Sequence, residues 1–326
     1  RMEPAAPKLK HVAVGVCTRG RPEMLRETLR SLAGLDLTGL DCRFFVVENN
    51  SELTVGPIVQ ELADTIGSDR VVATVEPRLG IAFARNHVLD AASGSDWLAF
   101  IDDDEVADPQ WLVSLARSAD RRGQHLVGGP VRLGAPPHGA SRSELMVWRG
   151  LDARFRSVEA RSRRLSTDGR DDRVAIGTGN WFADLAFVRQ AGLRFDETLG
   201  LSGGEDMAFN RALRKAGGKS GWTPDAIIFE SWPRERLSLG YQFRRARDQA
   251  LAHHRTKYPS LTPVTVVVTA GIVLFKALGG VLRVLQAAFD RGASLTRAAR
   301  AFGAAAGATG ALFGRRSRHY ETTSGR

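Results

Sequence analysis

The sequence predicts an α/β fold in which helices cover both faces of a mostly parallel sheet. Strand and helix signals alternate along the first 130 residues, and the strand segments are continuous apolar runs, as in sheets that are buried on both faces. Alternation of this kind builds βαβ units. Polar side chains follow the ends of successive strands, which is where sheets of this class bind ligands. We therefore expect one functional edge on the sheet.

The first βαβ unit begins with the apolar run HVAVGVC, predicted as a buried strand, and continues with the helix PEMLRETLRSL. Pro22 stands at the start of this helix, and Leu25, Leu29 and Leu32 recur on one of its faces. The alternation then repeats, with strands at CRFFVVE, RVVATVE and WLAFID and helices at VGPIVQELADTI, GIAFARNHVLDAA and PQWLVSLARSADRR.

The pattern becomes less regular after about residue 135. Residues 152–173 mix both charges densely with few apolar side chains, so we expect a loop or mobile flap there. Order returns with VAIGTGNWFADLAFV. The later predicted elements are a helix at 203–217, a short strand at 225–231 and a basic helix at 238–257.

The composition is that of an ordinary globular protein, except for the charge. Of the 326 residues 43% are hydrophobic and 25% are charged, which argues against disordered and fibrous classes, whereas the formal net charge is +10. Positions 236–326 carry 15 Lys and Arg against 3 Asp and Glu, and the remainder carries 31 against 33. Cys17 and Cys42 lack metal-ligand spacing and are predicted to be buried, reduced thiols.

The basic C-terminal tail, residues 236–326, is predicted to be helical and to associate with a membrane. Within its two apolar stretches, 264–289 and 301–314, the longest uncharged runs have 12 and 14 residues, fewer than the about 20 that a spanning helix needs. Lys276, Arg283 and Asp290 recur every seven positions, which would place them on one face of an interfacial helix. The alternative is a helix packed on the rest of the protein. The combination of cations and apolar surface favours an anionic membrane surface.

Polar residues end the predicted strands and should meet at one edge of a parallel sheet. They are Thr18, Arg19 and Arg21 after the first strand, Glu48 at the end of the second, Arg78 after the third, and Asp102, Asp103 and Asp104 of FIDDDE after the fourth. A carboxylate cluster there can hold Mg²⁺ or Mn²⁺ through one or two oxygens and leave other positions to phosphates. The alternative is an acidic turn, because a DxD pattern alone often matches by chance.

Two later segments carry further candidate groups. In GGEDMAFNRAL, Glu205 and Asp206 lie at a helix N-terminus, either as caps stabilised by the helix dipole or as a general base at the rim of a cleft. Gly204 would let a substrate approach the backbone closely. In GTGNWF, Asn180 and Trp181 are candidates for a substrate contact, because an aromatic ring can stack on a substrate, with a core Trp as the equal alternative.

Taken in order, these segments resemble the family 2 glycosyltransferases of the GT-A fold across about residues 10–235. The matching segments are VAVGVCTRGRPEMLRETLRSL, VVENNS, EPRLGIAFARN, FIDDDE as the DxD motif and GGEDMAF as the late acidic motif. The opening and the basic apolar tail look most like the bacterial exopolysaccharide members, including those that build succinoglycan-type repeat units. The resemblance implies a Rossmann-like sheet with a nucleotide-sugar-binding half at 10–130 and an acceptor half at 131–235.

The resemblance also implies roles for the residues that would bind the donor. Thr18, Arg19 and Glu48 would contact the uracil of a UDP-sugar, although Glu48 stands where the family usually has Asp. Arg78 and Arg85 are either donor-site residues or ion-pair partners of the acidic cluster.

A further part of the resemblance concerns the metal and the base. Asp104 would ligate the metal bound to the diphosphate, and Asp102 would lie at the ribose and share that metal. Asp103 would either share the cation on the donor side or only shape the turn. Asp206 would be the base of an inverting, single-displacement transfer, and Glu205 would orient the acceptor. Asn180, Trp181 and Gly204 would lie on the acceptor side.

The expected function is the transfer of one hexose from a UDP-sugar to a lipid-linked saccharide, with Mg²⁺ or Mn²⁺ as cofactor. The Q-x-x-R-W motif of processive synthases does not occur in the sequence, which favours a single addition over polymerisation. WPRERLS is the nearest basic segment, and its Arg234 or Arg236 would clamp the diphosphate. No apolar leader follows the polar N-terminus, so the protein is expected at the cytoplasmic face of the inner membrane, peripheral or shallowly inserted.

Two other functional classes stay open at this point. A nucleotidyltransferase also uses an α/β sheet and acidic metal ligands, but CTRGRPEM is a poor glycine-rich phosphate loop. A basic nucleic-acid-binding protein would suit the net charge. However, the cations accompany apolar helices and not a platform of exposed aromatic rings, so nucleic acid is not an expected partner.

Overall fold

The structure is a computed structural model that describes residues 9–199, 203–258 and 260–313. The polar N-terminal lead and the last part of the tail lie largely outside these ranges. The strands are β1 (Lys10–Thr18), β2 (Leu40–Glu48), β3 (Val71–Val75), β4 (Trp97–Asp102), β5 (Glu105–Ala107), β6 (Leu126–Gly128), β7 (Val131–Leu133), β8 (Trp181–Asp184), β9 (Ser220–Trp222) and β10 (Ile228–Glu230).

The helices lie between and after these strands, as the alternation of sequence signals predicts. They are α1 (Pro22–Ala33), α2 (Gly56–Ile66), α3 (Ile81–Ala91), α4 (Trp111–Arg122), α5 (Arg142–Thr167), α6 (Leu185–Gln190), α7 (Glu205–Lys215), α8 (Leu239–Lys257), α9 (Pro263–Gln286) and α10 (Ala293–Leu312). All four predicted βα pairs of the first half are confirmed.

The central sheet has seven strands in the order β3-β2-β1-β4-β8-β6-β9. β1 pairs in parallel with β2 and β4, and β3 pairs in parallel with β2. β8 runs antiparallel to both of its neighbours, β4 and β6. A smaller sheet, β5-β10-β7, lies directly after the end of β4 and brings the later chain back to that end.

The sheet separates two apolar cores, because alternate residues of each strand face opposite sides. Val14 of β1 packs with Leu25 of α1 on one face, and Ala13 lies in the core of the other face with Val88 of α3. Gly15 is needed for this second contact: a Cβ there would be 2.5 Å from Val88 Cγ1. The apolar runs of the sequence therefore correspond to strands that are buried on both faces.

The two cysteines are buried and free, as predicted. Burial raises the pKa of each thiol to about 12. Both groups are therefore neutral and unreactive at physiological pH.

The prediction of a mobile flap at 152–173 is wrong, because most of that segment belongs to the long helix α5. Val147, Leu151 and Phe155 form a buried stripe at helical spacing, which begins before the charged segment and continues into it. The charges pair along the helix, as between Arg156 and Asp152, whose Nε and Oδ2 are 2.8 Å apart. Dense charge of mixed sign marked a solvated helix face and not a loop.

In the tail, α10 is a packed helix. Its small residues let it lie directly on the backbone of α8: a Cβ on Gly303 would be 2.2 Å from the carbonyl oxygen of Phe243, and one on Gly307 would be 2.1 Å from that of Arg247. On its other side, Gly150 of α5 also meets the α10 backbone. For this helix the alternative of packing on the rest of the protein is correct.

The neighbouring helix α9 differs from α10, because little of it is buried. It has a mean hydropathy of 2.1 over its most apolar window, of which 17% is buried, and among the described helices it is the one whose length and composition would allow it to cross a membrane. The expectation that no tail segment is long enough to span a membrane is wrong by length and composition. Lys276 interrupts the uncharged run, but α9 continues through it as one apolar helix of 24 residues. Asp290 lies beyond the end of α9 and caps α10 through the Ser294 N–H, so the proposed seven-residue face is not on one helix.

Candidate active site

The ends of β1 and β4 bring the first strand-end residues together, as the parallel sheet predicts. The hydroxyl of Thr18 donates a 2.7 Å hydrogen bond to Oδ2 of Asp103, and both side chains are buried. Glu48 lies beside Thr18 in the register of β1 and β2. The DxD segment therefore begins at the carboxyl edge of the sheet.

Two arginines hold the second half of the tri-aspartate. Arg21 Nη1 lies 3.0 Å from Oδ1 of Asp103 and 3.3 Å from Oδ2 of Asp104. Arg236 donates from Nη1 to the same Oδ2 of Asp104 at 3.0 Å, and only 3% of its surface is exposed. Arg236 comes from the turn that follows β10, so the smaller sheet delivers it to the DxD segment. Its role as a clamp on the diphosphate stays a prediction.

A third arginine joins the DxD segment to the late acidic motif. Arg85 of α3 is buried, donates to Oδ1 of Asp102 at 3.1 Å, and forms an ion pair with Glu205 at the start of α7. The favourable charges of Asp102 and Glu205 outweigh the cost of burial and raise the pKa of Arg85. The second oxygen of Glu205, Oε2, is buried and has no hydrogen-bond partner among the described residues.

Asp206 lies in the first turn of α7, and this helix begins directly after two glycines whose backbone is in the left-handed region. Gly203 has φ +76° and Gly204 has φ +95°, which residues with a side chain rarely adopt. Asp206 accepts a 2.7 Å hydrogen bond from the Met207 N–H. Burial, followed by the charge of Glu205, raises the pKa of its carboxyl group, and Arg85 partly opposes the rise. A carboxylate of raised pKa is suited to accept a proton.

The cleft contains more carboxylates than its arginines neutralise. Burial is the main cause that raises the pKa of Asp103 to about 6, that of Glu230 on β10 to about 7 and that of Glu105 well above its ordinary value. Oε2 of Glu105 accepts the Asp102 N–H at 2.9 Å and fixes the turn of the DxD segment. The region around Asp104 is consequently short of positive charge.

Two of the remaining predicted donor residues, Glu48 and Arg78, already have partners within the protein. Glu48 is fully buried and accepts from the backbone of Thr54 and Val55, where it caps the start of α2. Arg78 makes a two-bond ion pair with Glu76, at 2.9 Å for each bond, which lowers the pKa of Glu76 to about 2. Arg19 has no such bond among the described residues and is partly exposed near the end of β1.

The structure corrects the acceptor-side candidates Asn180 and Trp181. Trp181 is 0% exposed and packs against Phe100 and Phe209 in the core, so its ring offers no face to a sugar. Asn180 is also buried. Its Oδ1 accepts a 2.9 Å hydrogen bond from Trp111 Nε1, and its Nδ2 donates to two backbone carbonyl oxygens. Both residues tie β8 to its neighbours, which was the alternative interpretation of GTGNWF.

Sequence reasoning placed Arg21 at this edge without a role and missed two further charged residues of the site, Glu105 and Glu230. Glu105 belongs to FIDDDE, so that motif contained a signal for it. Glu230 had none, because it reaches the cleft only through the pairing of β10 with β5, opposite Glu105.

The chain matches the model of the glycosyl transferase family 2 over residues 13–184. It therefore belongs to the family 2 glycosyltransferases and is a glycosyltransferase. A similar curated protein is the succinoglycan biosynthesis protein ExoM of Rhizobium meliloti (strain 1021), which is 34% identical over 254 residues that cover 75% of this chain and 74% of the relative.

Two solved structures share the fold. The mannosyltransferase PcManGT from Pyrobaculum calidifontis, in complex with GDP-Man and Mn²⁺, superposes with a TM-score of 0.57 at 16% identity and covers 95% of this chain and 90% of its own. S. aureus TarS 1-349 has a TM-score of 0.50 at 15% identity, with 94% and 92% covered. The predicted GT-A fold is confirmed, and family membership selects glycosyl transfer over the nucleotidyltransferase and nucleic-acid-binding alternatives.

Proposed function

We propose that this glycosyltransferase is an inverting enzyme that moves one hexose from a UDP-sugar to a lipid-linked saccharide in exopolysaccharide or cell-surface glycan synthesis. The observation that carries this proposal is the Asp102–Arg85–Glu205 chain of ion pairs, which sets Asp206 beside the DxD segment. The similarity to the succinoglycan biosynthesis protein ExoM supports the pathway and the saccharide acceptor.

Asp206 is the proposed base for the acceptor hydroxyl. Its raised pKa makes it a better proton acceptor than an ordinary aspartate, and the left-handed glycines before it leave the backbone open to the acceptor. Glu205, fixed by Arg85, orients the acceptor with the oxygen that has no partner among the described residues. Attack from the Asp206 side, opposite the departing diphosphate, inverts the anomeric carbon.

Asp102 and Asp104 are the proposed residues for Mg²⁺ or Mn²⁺. The described residues contain no group of three or more side chains arranged to hold a metal. Mg²⁺, however, is commonly bound by one or two carboxylates together with substrate phosphates. The excess of carboxylates in the cleft fits such a cation. When bound, it would offset the charge of the departing diphosphate.

The donor side rests on the position of Thr18, Glu48 and Arg19 at the ends of β1 and β2. We propose that Arg19, together with the backbone held by Thr18 and Glu48, contacts the uracil, and that Arg236 and Arg78 approach the phosphates. A fold neighbour binds GDP-Man, so the nucleotide needs a direct test.

The proposed location is the cytoplasmic face of the inner membrane. The exposed apolar surface of α9 would enter an anionic membrane, and the cations of the tail would meet its headgroups. This placement brings the acceptor half close to a lipid-linked substrate.

Incubation with Mn²⁺ and a panel of UDP-sugars and GDP-mannose, followed by measurement of free nucleotide, tests the function. We expect slow hydrolysis of one UDP-sugar that depends on the divalent ion. Hydrolysis of GDP-mannose alone would overturn the UDP assignment. Release of nucleotide from the preferred donor that persists in EDTA would overturn the metal dependence.

A further inference from the structure

A second concave site lies in the tail, away from the DxD segment. Helices α5, α8, α9 and α10 enclose a groove of about 660 Å³. One of its walls is apolar and includes Val158, Ile272 and Phe275. Phe275 is 74% exposed on α9, so this wall continues into the exposed apolar surface of that helix.

The charged groups of the groove all have the same sign. Six cations line it: Arg154, Lys257, Lys276, Arg283, Arg297 and Arg300. No Asp or Glu is found among the described lining residues, and none of the six cations forms a salt bridge with a described carboxylate. A cavity that combines one apolar wall with several cations is complementary to an amphiphile with an anionic head.

The groove also holds its cations at an electrostatic cost. Burial is the main cause that lowers the pKa of Arg300 to about 10; the charges of Arg154 and Arg245 lower it further, and Glu230 opposes this shift only in part. Desolvation also lowers the pKa of Arg154, although part of its side chain reaches the surface, and Glu230 again opposes the shift in part. A bound anion would remove this cost, because it would supply the missing negative charge.

Hydrogen bonds connect the groove to the DxD segment. Gln242 is fully buried between them: its Nε2 donates to the carbonyl oxygen of Arg236 at 2.9 Å, and its Oε1 accepts from Arg300 Nη1 at 3.0 Å. Arg236 in turn holds Asp104. A ligand in the groove would therefore lie next to the residues that support the proposed diphosphate site.

We propose that this groove binds the phosphate or diphosphate head of a long-chain lipid, with the chain along the wall formed by α9 and the head among the arginines of α5 and α10. The inference rests on the proposed function, since such a lipid would carry the saccharide acceptor. It assigns the acceptor lipid to the tail and the acceptor sugar to the cleft near Asp206.

Binding of farnesyl diphosphate to the full chain in nonionic detergent tests this proposal. Titrations in EDTA keep the DxD carboxylates free of metal, so that they repel the anion. Farnesol and inorganic pyrophosphate separate the contributions of chain and head. The double variant Arg154→Gln, Arg297→Gln removes two groove cations, and Arg161→Gln, Arg164→Gln removes two exposed cations of α5 outside the groove.

We expect farnesyl diphosphate to bind the groove variant at least about tenfold more weakly than wild type, since charge-assisted hydrogen bonds are lost, and to bind the α5 control unchanged. Equal loss in both variants would show a nonspecific charge effect and overturn the proposal. Equal affinity for pyrophosphate would show a free-anion site, and equal affinity for farnesol would show an apolar one; either result overturns the lipid phosphate.

Binding of UDP with Mn²⁺ to the same samples serves as an independent readout. We expect it to be unchanged in both variants. If no sample binds UDP, the proposed donor is wrong, whereas the groove titrations in EDTA still decide the lipid site.

Discussion

The DxD cleft and the tail groove are charged regions of opposite sign. In the cleft, buried carboxylates outnumber arginines, and the pKa of Asp103 rises to about 6 and that of Glu230 to about 7. In the groove, arginines crowd without carboxylates, and the pKa of Arg300 falls to about 10. In both regions burial disfavours the charged form of these groups, and the nearby opposite charges compensate only in part.

The contrast indicates which kind of ligand would complete each region. The charge of Glu230 acts on Arg154 and Arg300, but none of the six groove cations forms a salt bridge with a described carboxylate of the cleft. Perturbed groups of this kind concentrate at functional sites. On the proposals made above, a cation with a substrate would complete the cleft, and an anion would complete the groove. Variants of each region test this contrast.

The largest expected effect is that of Asp206→Asn, which removes the proposed base from the cleft and leaves the groove unchanged. We expect transfer to fall by at least about 100-fold, because general-base catalysis contributes that much or more. UDP binding should stay largely intact, since the proposed role of Asp206 is on the acceptor side. Turnover with an acceptor and calorimetric titration of UDP measure the two quantities. Near-normal turnover would show that another group takes the proton.

The next effect separates two aspartates of the cleft. Asp104→Ala should weaken Mn²⁺-dependent UDP binding by roughly tenfold or more, because a direct metal ligand should matter at least as much as the groups around it. Asp103→Ala should weaken it less, because Thr18 and Arg21 already occupy both oxygens of Asp103. Titrations of UDP with and without Mn²⁺ make the comparison. A larger loss in Asp103→Ala would reverse the two assignments.

The sheet and the strand-end residues could be predicted because both are encoded locally. Apolar runs determine the strands, and the residue after each run lies at the carboxyl edge once the strands are parallel. Thr18 and Asp103 meet in the structure for this reason, although 85 positions separate them.

The other contacts of the site depend on packing that no local pattern encodes. Arg85 reaches Glu205 across 120 positions, and Arg236 reaches Asp104 across 132. From the sequence, Trp181 could be either an exposed stacking ring or a core residue. Its place in the core follows from the pairing of β8 with β4 on one side and β6 on the other. The helices of the tail show the same limit. Both are apolar, but the glycines of α10 lie on α8, and α9 is left exposed.

A smaller effect is expected on the membrane side of the contrast. Leu278, Leu282 and Leu285 lie on α9 and are 56%, 66% and 64% exposed. Changing all three to Gln keeps helix propensity and removes apolar surface, so binding to phosphatidylethanolamine–phosphatidylglycerol vesicles should fall about tenfold or more. Co-sedimentation measures this, and UDP binding should not change.

The control for α9 changes exposed leucines elsewhere. Leu9→Gln with Leu53→Gln should leave vesicle binding as in wild type. If the α9 variant bound vesicles normally but lost self-association in analytical ultracentrifugation, α9 would be an interface between copies of the chain and not a membrane surface.

The smallest effect tests the charge of the cleft directly through pH. Glu230 has a folded pKa of about 7, raised by burial and then by Asp104, whereas the unfolded carboxyl titrates near 4.5. The folded state therefore binds the proton more tightly, and stability is lost as the pH rises through about 7. Glu230→Gln should raise Tm by roughly 2–4 °C at pH 8 in EDTA and by little at pH 5, where the group is already protonated in the fold.

Thermal unfolding at the two pH values measures this effect, and Glu235→Gln, on an exposed residue of the same segment, is the matched control without a change in Tm. An equal rise at both pH values would indicate better packing of the amide and not relief of charge. At pH 8, Mn²⁺ should bring the Tm of wild type closer to that of Glu230→Gln, because a cation in the cleft lowers the cost of the ionised Glu230.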